Sequence, residues 1–385
     1  MRPFTEDRET GTGFFRTLPG GLTLQGRVAL GSLTTMGTGG DAKWFGEIRS
    51  RQDLQDALTW AKDQKLPVCI LGTGSNTLIS DDGFPGLVLQ FPSLRDPEVL
   101  PDGTIALEAG LEWDRAVEWT IENQLGGLEC LSGIPGRVGA APIQNIGAYG
   151  VEIADCLVDV RVWDTQTQSV HMIPKADCDF GYRTSRFRGA DAGRFIVLGL
   201  RLRLSPGQSA PIRYEELRRA LGVVQDARVE PARVRDAVIA LRRSKSMVLD
   251  ENDPNTRSVG SFFVNPTVDA ATADRIAGSA GAPMPRFDQP DGSAKLAAAW
   301  LIEQAGFRRG YSDGTAGLST KHALAIINRN NALTADIVRL AWRIHQAVRD
   351  TFGIRLQAEA VMLGSLPADL ERARVMFTGS AIIEP

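Results

Sequence analysis

A chain of 385 residues has room for two or three domains, each with its own core. Its hydrophobic content of 43% and charged content of 23% are those of an ordinary globular protein, and a net charge of −3 argues against nucleic acid or an anionic membrane as the main partner. No apolar run is long enough for a transmembrane helix, and the N-terminus lacks the apolar core of a signal peptide, so the expected location is the cytoplasm. The four cysteines (69, 130, 156, 178) and three histidines (171, 322, 345) are scattered without metal-ligand spacing. Free buried thiols are expected, and no metal site.

Residues 1–25 show no periodicity and read as an N-terminal arm. Ser50 with Asp53 three residues on has capping-box spacing, and Leu54, Leu58 and Ala61 follow at helical spacing. Apolar runs at 67–71 and 87–91 predict strands. Between them lies Gly72-Thr-Gly-Ser-Asn-Thr-Leu78. It lacks the Lys of a Walker loop and the third glycine of a dinucleotide-binding loop, so alone it fits a phosphate seat or a plain turn.

Residues 104–108 predict a strand, and Trp113, Val117 and Ile121 mark a helix face. Then comes the most unusual stretch, 131–150, with glycine at 133, 136, 139, 147 and 150. It holds no Asp, Glu, Lys or His but does carry Gln144, Asn145 and Tyr149. Such a segment suits main-chain N–H groups gathered on a phosphate or a flat ring; a structural turn cluster is the other reading. Val158, Val160 and Val162 alternate as a strand, as do Ile196, Leu198, Leu200, Leu202 and Leu204. Val234, Val238 and Leu241 mark a helix ending in Arg242-Arg-Ser-Lys245.

In the last third, residues 295–304 read as a helical run and 323–327 as a strand. Ile337, Leu340, Ile344 and Val348 line a long helix from Thr334 to Gly353. In the segment 354–363, Ile354, Leu356, Ala358, Ala360 and Met362 share one face of a strand.

Taken in order, these segments resemble the flavin-dependent UDP-N-acetylenolpyruvoylglucosamine reductases. The resemblance spans residues 30–364. It rests on the Gly72–Leu78 loop, Gly133-Ile-Pro-Gly with Pro142-Ile-Gln-Asn-Ile-Gly-Ala-Tyr-Gly150, Phe180-Gly-Tyr-Arg183, Gly260-Ser-Phe-Phe263 with Asn265-Pro266, Lys295-Leu-Ala-Ala with Trp300-Leu-Ile, and Glu359. It implies an α+β fold: a vanillyl-alcohol-oxidase-like FAD-binding fold of two α/β subdomains (26–91, joined by 360–385, and 92–246) plus a C-terminal α+β substrate-binding domain (247–359). It implies non-covalent FAD, NADPH as reductant, a UDP-sugar substrate and a monomer. Arg183, Ser261 and Glu359 match the family's catalytic residues. Gly72, Thr73, Gly74, Ser75, Asn76, Thr77, Leu78, Ile134, Pro135, Gly136, Gly139, Ala140, Asn145 and Gly147 are the expected cofactor contacts. Tyr149, Tyr214, Lys245, Asn265 and Gln304 are the expected substrate contacts, Tyr214 marking the longer subclass of the family.

Val264, Phe287 and Val361 stand where some relatives carry Lys, Tyr and Arg. Two alternatives remain: another FAD-dependent oxidoreductase of this fold, acting on an alcohol or hydroxy acid and often tethering its flavin through His or Cys, and a protein that only binds a nucleotide.

Overall fold

The computed structural model describes residues 8–10, 13–279, 283–379 and 382–384. Three layers of sheet and helix follow the chain. The first is a seven-stranded sheet, in spatial order Arg8–Thr10, Gly13–Thr17, Thr23–Ala29, Asp41–Glu47, Phe84–Gln90, Val68–Ile70 and Ile382–Ile383. Its inner strands run parallel, with Phe84–Gln90 between Asp41–Glu47 and Val68–Ile70. The stretch expected to be an arm therefore contributes strands: Phe15 faces Gln25, and the Phe14 ring meets Trp44 edge-on at 4.8 Å. The sequence hid this because the hairpin is short and only partly buried. Residues 1–7, 11 and 12 lie outside the described residues.

Helix Arg51–Asp63 covers this sheet. It starts as the spacing predicts: Ser50 Oγ accepts from Asp53 N at 3.1 Å, and Asp53 Oδ2 accepts from Ser50 N at 2.9 Å. Leu54, Ala57, Trp60 and Ala61 are its buried face.

The second sheet is antiparallel, in order Ser169–Pro174, Leu157–Asp164, Phe195–Leu202, Ile105–Glu108 and Glu98–Val99. The strand Phe195–Leu202 departs from simple alternation. Its register slips between the Arg161–Gly199 and Val162–Val197 pairs, leaving Leu198 as a bulge. Leu200 and Leu202 therefore face the sheet's own core, while Ile196 turns to the opposite side. There Ile196 and Trp163 join Leu24, Trp44, Leu54 and Leu87 of the first layer. The bulge thus welds the two sheets together.

In the third layer, helix Thr334–Phe352 buries Ile337, Leu340, Ile344 and Val348, and Gly353 ends it with φ +77°. The run 295–304 divides. Ser293–Leu296 is a strand between Thr267–Asp269 and Arg286–Asp288, and the helix is Ala298–Gln304. Asn265 Oδ1 accepts from Ala298 N at 2.9 Å and so starts that helix. The apolar alternation at 354–362 does mark a buried face, for Ile354, Leu356, Ala358, Ala360 and Met362 are all buried. Only Val361–Leu363 is a regular strand, parallel to Thr77–Ile79. That pairing returns the third layer to the first. Among the described residues no helix is long and apolar enough to cross a membrane.

Candidate active site

One cavity of about 370 Å3 is walled by all three layers. Gly72, Ser75, Asn76 and Thr77 come from the first layer; Ile134, Pro135, Gly139, Ala140 and Gly147 come from the glycine-rich stretch; Ser261 and Glu359 come from the third.

The glycine-rich stretch is laced to the segment that carries Arg183. Asn145 Nδ2 donates to Gly181 O at 3.2 Å, Arg183 Nη2 to Gly147 O at 2.8 Å, and Ser185 Oγ to Ile143 O at 2.6 Å. Arg183 holds φ +55°, a left-handed conformation costing roughly 1–2 kcal/mol for a side chain of its kind, and these bonds offset that strain. Glu359 is set by backbone bonds. Its N–H donates to Phe262 O at 2.8 Å, and Val361 N donates to Asn76 O at 3.0 Å. Ser261 precedes Phe262, so the hydroxyl and the carboxylate come from neighbouring extended segments joined by the Phe263–Ala358 bridge.

Arg183 Nε lies 3.1 Å from Glu359 Oε1 in a mostly buried ion pair. By distance this is a contact, yet the N–H is not aimed at the oxygen, and the buried Nε has no hydrogen-bond acceptor. Two more buried donors in the cavity wall are in the same state, Arg137 Nε and Arg242 Nε. The Thr73 hydroxyl within the Gly72–Leu78 loop is also without a partner. A buried donor without an acceptor is costly unless a ligand supplies one. Three guanidiniums and a hydroxyl around glycine-rich loops suit a ligand rich in phosphate and carboxylate oxygens, as FAD and an acidic substrate are.

The cofactor expectations divide on geometry. Gly72 has open space where a Cβ would stand, so its backbone is free for close approach. Gly136, at φ +142°, sits beside Ser75, whose Oγ donates to Pro135 O at 3.0 Å and ties the two loops together. Gly74 is needed for packing: a Cβ there would lie 2.5 Å from Leu33 O. Leu78 is fully buried in the third layer's core, since the strand's alternation turns it away from the cavity. Asn145 is a clamp, because its amide is used up on Glu152 Oε2 (2.6 Å), Gly181 O and Ala154 N (3.1 Å).

The expected substrate contacts sit beyond the cavity wall. The rings of Tyr149 and Tyr214 meet edge-on at 5.5 Å, and burial pushes the Tyr149 phenol up to about 12, so it stays a neutral donor. Lys245 Nζ bonds Glu216 Oε2 at 2.6 Å. Asn265 caps its helix, and Lys295 Nζ stands 3.6 Å over the Tyr182 ring. Gln304, at the exposed end of its helix, is apart from the main cavity.

Sequence reasoning missed Arg188 as a member of the wall. Its guanidinium donates to Gln144 Oε1 at 2.7 Å and to Glu359 O at 3.0 Å. Arg242, read in the sequence only as part of a helix end, also faces the cavity, and burial holds both arginines below their usual range. Neither had a local signal; only the fold brings them in. Among the described residues no His or Cys lines the cavity, so no side chain is placed to tether a flavin. The four cysteines are free, and burial pushes their thiols up.

Residues 43–172 match an FAD binding domain. With the cavity above, this defines the chain as an FAD-binding flavoprotein enzyme of α+β fold. Residues 253–363 match the C-terminal domain of UDP-N-acetylenolpyruvoylglucosamine reductase. The reductase of Thermobifida fusca is 44% identical over 88% of this chain and 97% of its own length, and that of a Mycobacterium species is 45% identical over 89% and 97%. The chain belongs to the UDP-N-acetylenolpyruvoylglucosamine reductase family. Its fold is similar to that of the Thermus caldophilus reductase, with a TM-score of 0.62 at 24% identity over 89% of this chain and all of that one.

Proposed function

We propose that this protein reduces the enolpyruvyl group of UDP-N-acetylglucosamine enolpyruvate to give UDP-N-acetylmuramate, a peptidoglycan precursor, with NADPH as reductant. One observation carries the reading: Arg183, Ser261 and Glu359, far apart in sequence, meet at one cavity walled by the glycine-rich cofactor loops. Bound FAD supplies the hydride.

The protein's own residues manage the charge that follows. Hydride added to the terminal alkene carbon leaves carbanion character beside the substrate carboxylate, and this delocalises as an enolate. Arg183, with its unpartnered Nε, binds the growing negative charge. Glu359 shares the proton or hydrogen bond of that enolate. The Ser261 hydroxyl, of high intrinsic pKa, gives its proton to the carbanion carbon. The net change is one hydride and one proton across the double bond. Tyr149, Tyr214 and Lys245 lie beyond the cavity on the second layer, and with Asn265 and Gln304 they receive the UDP moiety.

The free thiols suit a reducing cytoplasm, where the protein acts as a monomer on a nucleotide-sugar without nucleic-acid or membrane partners. The test is a single turnover under anaerobic conditions. NADPH should bleach the bound flavin, and the enolpyruvyl UDP-sugar should restore its colour. Colour that returns no faster than with buffer alone refutes the assignment.

A further inference from the structure

We infer that Gln144 is a positioning residue that holds the Glu359 carboxylate in one orientation, with Oε1 engaged and Oε2 left for substrate. The inference rests on the reductase reading above and assigns a role to a side chain that the reaction scheme leaves out.

An amide presents an oxygen that only accepts and a nitrogen that only donates. The Gln144 oxygen takes Arg188 Nη1 at 2.7 Å and Asn76 Nδ2 at 3.0 Å. Neither a guanidinium nor an amide nitrogen can accept, so a flipped Gln144 would set donor against donor twice. Its nitrogen must therefore face the other way, and there it meets Glu359 Oε1 at 3.0 Å. Arg183 Nε approaches the same oxygen at 3.1 Å. Oε1 thus takes one hydrogen bond, from Gln144, with the Arg183 guanidinium in ion-pair contact beside it.

The grip extends to the main chain of Glu359. Its carbonyl accepts from Asn76 Nδ2 at 3.2 Å and from Arg188 Nη2 at 3.0 Å. Asn76 is itself held in one orientation, since both groups its nitrogen meets are acceptors. The same two side chains hold the Glu359 backbone and, through Gln144, aim its carboxylate. Gln144 completes this device without being needed for the fold, because Asn76 and Arg188 keep their bonds to the carbonyl if its amide is lost.

The experiment uses flavin-loaded Gln144→Met, Gln144→Glu, Glu359→Gln and the double variant Gln144→Met/Glu359→Gln. Methionine keeps the volume and removes the donor. Glutamate keeps the acceptor for Arg188 and Asn76 but sets an oxygen against Glu359, so it decides the matter if the methionine variant loses FAD. In the Gln144 single variants, flavin spectrum, FAD content and reduction by NADPH should stay near wild type. Reoxidation by the enolpyruvyl UDP-sugar should slow about 10- to 100-fold with KM little changed, the cost of a misaimed group. On the Glu359→Gln background, Gln144→Met should add less than about threefold, because both changes remove the same function. Wild-type reoxidation in either flavin-loaded Gln144 single variant overturns the inference. So does a multiplicative loss in the double variant, which would mean that Gln144 acts apart from Glu359. Wild-type flavin that this substrate cannot reoxidise refutes the reductase reading itself, and the Gln144 assignment with it.

Discussion

Replacing Ser261 by alanine separates chemistry from structure more cleanly than any other single change at this site. The hydroxyl makes no hydrogen bond among the described residues, and Gly260 before it, at φ +74°, has open space where a Cβ would stand. Ser261 lines the cavity that also holds Arg183 and Glu359. Losing the oxygen leaves no buried partner stranded, so stability should move by no more than about 0.5 kcal/mol. Losing a positioned proton donor costs roughly 100- to 10 000-fold in rate, or about 3–5 kcal/mol of barrier. The assay is stopped-flow absorbance of the flavin, following each half-reaction alone. Reduction by NADPH needs no proton from Ser261 and should run at the wild-type rate. Reoxidation by the enolpyruvyl UDP-sugar should carry the whole loss. If both half-reactions slow alike, or if reoxidation keeps more than about a tenth of its rate, Ser261 is not the proton donor.

Other consequences are open to equally direct measurement. Asn145→Ala strips three buried hydrogen bonds, one of them to the Glu152 carboxylate, and places alanine at φ +48°; denaturant unfolding should show a loss of about 4 kcal/mol. Leu340→Ala, at a fully buried position on the long helix, should cost about 2–5 kcal/mol in the same experiment without changing the flavin spectrum. Glu216→Gln frees Lys245 from its carboxylate partner, so KM for the UDP-sugar should fall about two- to fivefold, in keeping with a half-exposed pair. Burial, aided by the Lys245 and Arg309 cations, holds His322 down to about 4, below its ordinary 6.5. The unfolded chain therefore takes up this proton first. The resulting stability is present above pH ~6.5 and is lost as the pH falls toward ~4. Unfolding midpoints across that window should depend less on pH in His322→Gln than in wild type.

Much of this molecule is written locally, and the exceptions are instructive. The Ser50–Asp53 box and the Thr334–Gly353 helix follow from spacing alone, because caps and apolar stripes act within a few residues. The bulge at Leu198 does not, since it arises from pairing with a strand 37 residues away in sequence and reverses which neighbours face the core. The run at 295–304 reads as helix by composition, but Lys295 pairs with Thr267 and Phe287 in a sheet, and the distant Asn265 decides where the helix begins. The site follows the same rule. The glycine-rich loops and the segments carrying Arg183, Ser261 and Glu359 could be picked out by motif. The split of the loop residues into cavity wall (Gly72, Ser75), packing (Gly74, Leu78) and clamp (Asn145) needed the contacts themselves. Arg188 and Gln144 mattered only once four separate segments had been brought together around Glu359.

Steady-state oxidation of NADPH by the purified yellow protein, with and without the enolpyruvyl UDP-sugar, decides whether this cavity reduces that sugar. The account predicts that NADPH is consumed one-for-one with substrate, and that the nucleotide-sugar recovered is heavier by two hydrogens. Protein fully loaded with FAD that oxidises NADPH no faster with the UDP-sugar than without it, and returns that sugar unchanged, would contradict the account.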